Sequence, residues 1–215
     1  MPTQIELSKL DSLLASADHG LRTVFGKPPA ARSSPAGALS QDFTLTPDEC
    51  RLAGALMRVN HVGEICAQAL YQSQALLTRD PELRAHFAQA AKEEMDHLAW
   101  TRQRIDELGS HTSRLNPLWY GGAFVVGSLA GMAGDSVSLG FVVETERQVE
   151  QHLATHLDRL PLSDQRSRAI VSQMKEEEAR HAEEALAAGA RTLPSPIKKL
   201  MKLAARLMTR TAHYI

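Results

Sequence analysis

Two short stretches decide the fold of this 215-residue chain: Glu93-Glu94-Met95-Asp96-His97-Leu98 and Glu177-Glu178-Ala179-Arg180-His181. Each carries a Glu followed three residues later by a His, so the two side chains sit on adjoining parts of one helical face. Each also lies inside a segment whose apolar residues recur at helical spacing. Around the first, Leu83, Phe87, Ala90, Leu98, Ile105 and Leu108 form a stripe that contains Glu94. Around the second, Ser167, Val171, Met174, Ala182, Ala185 and Gly189 form a narrower stripe that contains Glu178. Successive helical residues rotate by about 100°, so Glu93, Glu176 and Glu177 fall outside these stripes. Burying an unpaired carboxylate is expensive, and an acid centred on an apolar stripe asks for an explanation.

Working outward, the anomaly recurs twice. Residues 59–78 hold one formally charged side chain, Glu64, on a face shared with Ala53, Met57, Tyr71 and Ala75. In the third segment Glu146 lies within the stripe Leu139, Val142, Leu153, Leu157 and Leu160, while Glu144 points to the opposite side. Candidate helices span 49–78, 81–108, 136–160 and 163–190. Asp80-Pro81 predicts a start with Asp as N-cap and Pro at the first helical position, Ser163-Asp164 predicts another, and Pro161 blocks continuation of the helix before it. Hairpin turn signals of the Asn-Gly or Asp-Gly kind are missing. The spacing predicts an all-α four-helix bundle.

The first and third helices thus offer a Glu, and the second and fourth a Glu-x-x-His. The interval from Glu64 to Glu94 is 30 residues and from Glu146 to Glu178 it is 32, as in two related helix pairs. This is the ligand pattern of di-iron or di-manganese carboxylate bundles. Four buried carboxylates repel one another unless polyvalent cations neutralise them, and four balance two divalent ions. Imidazole nitrogen with carboxylate oxygen suits iron or manganese better than zinc or an iron–sulfur cluster. The candidate metal ligands are Glu64, Glu94, His97, Glu146, Glu178 and His181. Glu93 and Glu177, each directly before a ligand Glu, are either solvated or accept a hydrogen bond from a ligand His on the opposite helix. His19, His86, His111 and His213 read as surface residues; His61, His152 and His156 as core or support.

Composition removes other classes. Lys plus Arg is 24 against 25 for Asp plus Glu, a net charge of −1, so no global basic field invites nucleic acid. Cys50 and Cys66 are too far apart for a metal-binding pair of cysteines, and a reducing compartment is expected. The opening residues lack the basic and apolar regions of a secretory signal. Residues 4–17 predict a short amphipathic helix built on Ile5, Leu7, Leu10, Leu13 and Leu14. Residues 27–48, rich in Pro and small polar residues, read as a linker. The expected domains are therefore an N-terminal extension, 1–48, and a metal-binding domain, 49–215.

Two segments exceed the needs of a plain bundle. Residues 115–134 carry no charged side chain, and residues 197–215 carry five basic residues and no acid. The first is long enough for a span, but one crossing there would put Glu94 and Glu146 on opposite sides of the bilayer. It is expected to be a buried crossover or an interfacial helix with Trp119 and Tyr120 at headgroup level. In the second, Ile197, Leu200, Met201, Ala204, Leu207, Met208 and Ile215 form one face, as in a basic amphipathic helix bound to a membrane surface.

Five pieces carry a family resemblance: Arg58-Val59-Asn60-His61-Val62-Gly63-Glu64, Glu94-Met95-Asp96-His97-Leu98, Asn116-Pro117-Leu118-Trp119, Val143-Glu144-Thr145-Glu146 and Glu177-Glu178-Ala179-Arg180-His181. In their order and spacing the chain resembles the demethoxyubiquinone hydroxylases of ubiquinone biosynthesis, from about residue 50 to 215, with the first 48 residues outside the likeness. The resemblance implies a ferritin-like, peripheral membrane di-iron monooxygenase. It implies that the same six residues hold two ferrous ions, with Glu94 and Glu178 bridging. It also implies a polyprenyl methoxy-methyl-benzoquinol and O₂ as substrates, and a place on the cytoplasmic face of a membrane such as the bacterial inner membrane. A homo-oligomer and a pathway complex are both compatible with it. A ferritin-like iron-storage protein would use the same ligands but would have no use for residues 115–134 or the basic tail.

Overall fold

The computed structural model describes residues 9–39 and 45–215, without the side chains of residues 9, 12 and 13. It is all-α: α1 (Lys9–Phe25), α2 (Pro47–Leu77), α3 (Pro81–Glu107), α4 (Asn116–Met132), α5 (Asp135–Arg159), α6 (Gln165–Ala187) and α7 (Ser195–Ala212), with one 3₁₀ turn at Pro35–Ala38. The four helices read from the periodicity are α2, α3, α5 and α6. The expected N-terminal helix is α1, which runs on to Phe25; residues 4–8 of the expectation lie outside the described residues.

Local chemistry fixes the ends. Thr46 and Glu49 form a reciprocal capping box at α2, Glu49 N–H donating to Thr46 Oγ1 (3.3 Å) and Thr46 N–H to Glu49 Oε2 (2.8 Å). Asp80 caps α3 by accepting from the Glu82 and Leu83 amides. Asp164 caps α6 through the Ser167 amide (2.8 Å), and the same carboxylate oxygen accepts from Arg104 Nη2 of α3 (2.8 Å). One buried acid thus both starts a helix and ties it to a neighbour. Gly134, at φ 106°, turns the chain between α4 and α5 in a conformation that other residues rarely adopt.

The core is split. One apolar cluster contains Met57, Trp100, Ile105, Leu153 and Met174; the other contains Tyr71, Phe87, Ala90, Val142 and Ala185. On each of the four helices the suspect Glu lies between a residue of one cluster and a residue of the other. The acids therefore form a layer across the middle of the bundle. The order of these residues also gives the topology. α2 runs antiparallel to α3 and α5 antiparallel to α6, while α3 and α5 run in the same direction because α4 carries the chain back between them. Two helical hairpins joined by one long crossover make the ferritin-like bundle.

α4 packs on α2, with Gly127 against Leu70 and the Ser73 hydroxyl. Its Trp119 is half-buried against Val59 and Val62 of α2 and Met208 of α7, and the Tyr120 hydroxyl donates to Gln72. These two aromatics therefore pack against protein, as in the buried-crossover alternative rather than the one with both at headgroup level. Leu118, Val125, Val126, Leu129 and Met132 of α4 are exposed, as are Ile197, Leu200, Leu203 and Leu207 of α7. Among the described residues no helix is long and apolar enough to cross a membrane.

Candidate metal centre

The structure brings all six sequence-derived candidates together. Glu64, Glu94, His97 and Glu178 form one group, and Glu146, Glu178 and His181 a second; within each, one donor atom per residue lies within 4.8 Å of all the others. All six are buried. Glu178 belongs to both groups. Glu94 also reaches across: its Oε2 is 2.9 Å from His97 Nδ1 and its Oε1 2.9 Å from His181 Nδ1. Glu178 repeats the span more loosely, at 3.5 and 3.6 Å to the same two nitrogens. Both histidines therefore turn Nδ1 inward onto two shared carboxylates. Glu144, two residues earlier on α5, sits outside, paired with Lys198 of α7 at 2.9 Å.

The opposite ring nitrogens point outward onto acids. His97 Nε2 is 2.6 Å from Glu177 Oε2, and His181 Nε2 is 3.1 Å from Glu93 Oε2, which also accepts from Arg180 Nη2 at 2.6 Å. Of the two readings open for Glu93 and Glu177, the hydrogen-bonded one holds. A carboxylate on the outer nitrogen fixes the ring and leaves the inner nitrogen free to donate its lone pair. Sequence reasoning missed two further groups. Tyr71 is more than packing: its hydroxyl donates to Glu146 Oε1 at 2.6 Å. Asp96 is buried, although a lone acid inside a charged run gives no such signal. His19, expected at the surface, is half-buried beside Gln68 at 3.1 Å.

The charge state reports the strain of this layer. Burial, with the neighbouring acids, pushes the Glu64 and Glu146 carboxyls well above the usual range, so both tend to keep a proton. Burial alone would drive His97 and His181 neutral, but the surrounding carboxylates win and raise both, His181 to about 12. The two imidazoles in turn hold Glu94 well below its ordinary value against its burial.

The residues fit a pair of metal ions. Glu64 Oε2 and Glu178 Oε2 are buried ligand-type atoms without a hydrogen-bond partner, an arrangement that is costly unless something else satisfies them. Metal ligands are such atoms, and binding would release the retained protons. Fold and site together define a ferritin-like di-iron carboxylate protein, the buried cluster matching a di-iron site bridged by glutamates.

Comparison with known proteins narrows the class. The family model described as "Ubiquinone biosynthesis protein COQ7" matches residues 51–212, and the chain belongs to that family. Proteins named 3-demethoxyubiquinol 3-hydroxylase are close relatives. That of a Polaromonas species is 64% identical over 206 residues, 96% of this chain and 98% of the relative. That of Verminephrobacter eiseniae is 62% identical over 209 residues, 97% of this chain and all of the relative. That of Nitrosococcus oceani is 57% identical over 210 residues, 97% of this chain and 98% of the relative. The chain is a di-iron monooxygenase acting in ubiquinone biosynthesis. The family model begins at residue 51, at the expected limit of the likeness, while the alignments to individual relatives, over 96–97% of this chain, also take in most of residues 1–48.

Proposed function

We propose that this chain hydroxylates the ring of a polyprenyl methoxy-methyl-benzoquinol, the demethoxyubiquinol of its relatives' names, and that Glu64, Glu94, His97, Glu146, Glu178 and His181 hold the two irons, with Glu94 and Glu178 bridging. The observation that carries the reading is the doubled set of buried Glu and His donors in the middle of the bundle, with two carboxylates shared between two inward-facing imidazoles. Two ferrous ions held by these residues would supply electrons and open coordination positions for the reduction of O₂, one atom of which ends in the ring and the other in water.

The chain's own groups do the remaining work. Glu177 and Glu93 orient the two imidazoles. Tyr71 holds Glu146 by a short hydrogen bond, so this carboxylate is steadied on the side of a small cleft between α2 and α5. Ala67, Leu70, Phe141 and Val142 line that cleft and make it an apolar approach to Glu146. The two clusters of the core close over the layer from both ends and exclude bulk water. The exposed apolar residues of α4 and α7, within 115–134 and 197–215, form a membrane-facing surface, with the α7 lysines and arginines directed at anionic headgroups. A polyprenyl substrate resides in the bilayer, and such a surface brings the bundle to it, on the cytoplasmic face of the inner membrane in a bacterium. Residues 49–215 form the di-iron domain and residues 1–48 its extension.

Iron-loaded protein in detergent, given a reduced short-chain methoxy-methyl-benzoquinol, a reductant and isotopically heavy O₂, is expected to place one heavy oxygen atom in the ring, read by mass spectrometry. Oxygen consumption with no heavy atom in the quinol would replace this reading with iron oxidation and storage.

A further inference from the structure

The two halves of the metal layer are related position by position: Glu93 corresponds to Glu177, Glu94 to Glu178, and His97 to His181. The residue before each His breaks the pattern. In the α6 copy it is Arg180, whose guanidinium crosses to Glu93 and holds the acid that orients His181. In the α3 copy it is Asp96. An acid there faces Glu177 with another negative charge, when the matching position of the other half supplies a cation.

The missing cation comes from outside the bundle. Arg32, in the segment read as a linker, lies between the two acids. Its Nη1 and Nη2 donate to the two oxygens of Glu177 at 2.6 and 2.9 Å, and its Nε donates to Asp96 Oδ2 at 2.6 Å. The other Asp96 oxygen accepts the backbone amides of Ala31 (2.6 Å) and Arg32 (3.2 Å). The guanidinium lies 4.9 Å from the Trp100 ring centre, and the Trp100 indole N–H donates to the Arg32 carbonyl at 3.2 Å. The strap is anchored beyond Arg32 as well, with Ala36 buried in the apolar cluster of Met57 and Met174 and the Leu39 carbonyl accepting from Arg166.

We infer that Arg32 is a positioning residue for the metal site: through Glu177 it holds His97 as Arg180 through Glu93 holds His181, and Asp96 serves to capture it. Residues 31–39 are then a working part of the centre, and half of the site depends on a segment that precedes the bundle. The inference rests on the ligand assignment proposed above. A bidentate fork explains the choice of Arg, because a lysine ammonium cannot bond both Glu177 oxygens while also reaching Asp96. Groups that orient a ligand histidine commonly change metal affinity by about 10- to 100-fold when removed.

The test uses full-length protein loaded with two ferrous ions per chain under anaerobic conditions, with iron release to a coloured ferrous chelator followed over time. Arg32→Met is expected to release one of its two irons at least about tenfold faster than the wild type, the other at the wild-type rate. Arg32→Lys, which keeps the charge and most of the packing, should stay fast. Arg32→Met combined with Asp96→Arg restores the arrangement of the α6 half and should return release towards the wild-type rate. Unchanged release in Arg32→Met overturns the inference. So does a double variant no slower than Arg32→Met, or equal acceleration of both irons with a matching fall in the melting temperature of the iron-free protein, the signature of a simple brace. A wild type that fails to take up two irons, or a Glu178→Ala variant that retains both, would instead sink the ligand assignment itself.

Discussion

At the residue scale the site is a problem of unlike charges forced out of water together. The six proposed ligands stand out in the sequence because each breaks a rule that its neighbours keep: an acid sits in an apolar stripe, and twice a His stands three residues on. Their supports were harder to read. Glu177 and Asp96 belong to charged runs that resemble a solvated face, and Arg32 meets Glu177 across 145 residues from a segment without periodicity. A different pair of residues carries a pH prediction. His152 and His156 of α5 lie with ring centres 4.0 Å apart and their planes tilted by 58°, well along the helix from Glu146. Burial, reinforced by Arg159 and for His156 also by His152 and His213, lowers His152 to about 4 and His156 to about 2. The unfolded chain therefore takes up these protons first as pH falls. Stability is full above about pH 6.5, the ordinary histidine value, and is lost as pH drops towards 4 and below. His156→Leu in iron-free protein should flatten this dependence by up to about 1.4 kcal/mol per pH unit below 6.5, measured as urea midpoints at pH 7 and pH 5. Identical pH slopes for variant and wild type would refute the account.

At the element scale most helix boundaries followed from capping residues and prolines. Asp80, Asp164 and Pro161 act where the sequence places them, and α2, α3, α5 and α6 lie within a few residues of their expected limits. The faces of α4 were less legible. A segment without charges shows that it avoids water, but not which side meets protein, and the decisive residue is a glycine. A Cβ on Gly127 would collide with the Ser73 hydroxyl and come within 3.1 Å of the Leu70 backbone. Gly127→Ala should therefore destabilise the protein by about 1–2 kcal/mol in urea unfolding, overpacking outweighing the better helix propensity of Ala. Adding Ser73→Ala should recover part of that loss. A Gly127→Ala variant as stable as the wild type would mean that α4 does not seat on α2 through this contact.

For the whole molecule the question is whether the shared surface of α4 and α7 meets lipid, as proposed above. α4 and α7 lie together over α2, joined by Trp119, Met208 and Ala212. Arg58 ties the end of α7 to the α3–α4 connection by donating to the His213 and His111 carbonyls at 3.1 and 2.8 Å. The exposed leucines of both helices are thus held on one framework. Sedimentation with vesicles containing anionic phospholipid should carry the wild type into the pellet. Leu129→Glu combined with Leu200→Glu should leave most of the protein in the supernatant, with iron content and helical circular dichroism unchanged. A wild type that stays in the supernatant would remove the membrane from the proposal.

The division of the core has a consequence for the order in which the chain assembles. α2 with α3, and α5 with α6, are neighbours in sequence, so each hairpin closes on local contacts at a small loop-closure cost. Each carries one lone Glu and one Glu-x-x-His, and each can form while those acids still face water. Repulsion arises only when the two hairpins meet across the middle layer. The barrier from crowding the carboxylates therefore falls on the docking of preformed halves, late in folding, when protons or divalent ions can still enter the gap between them.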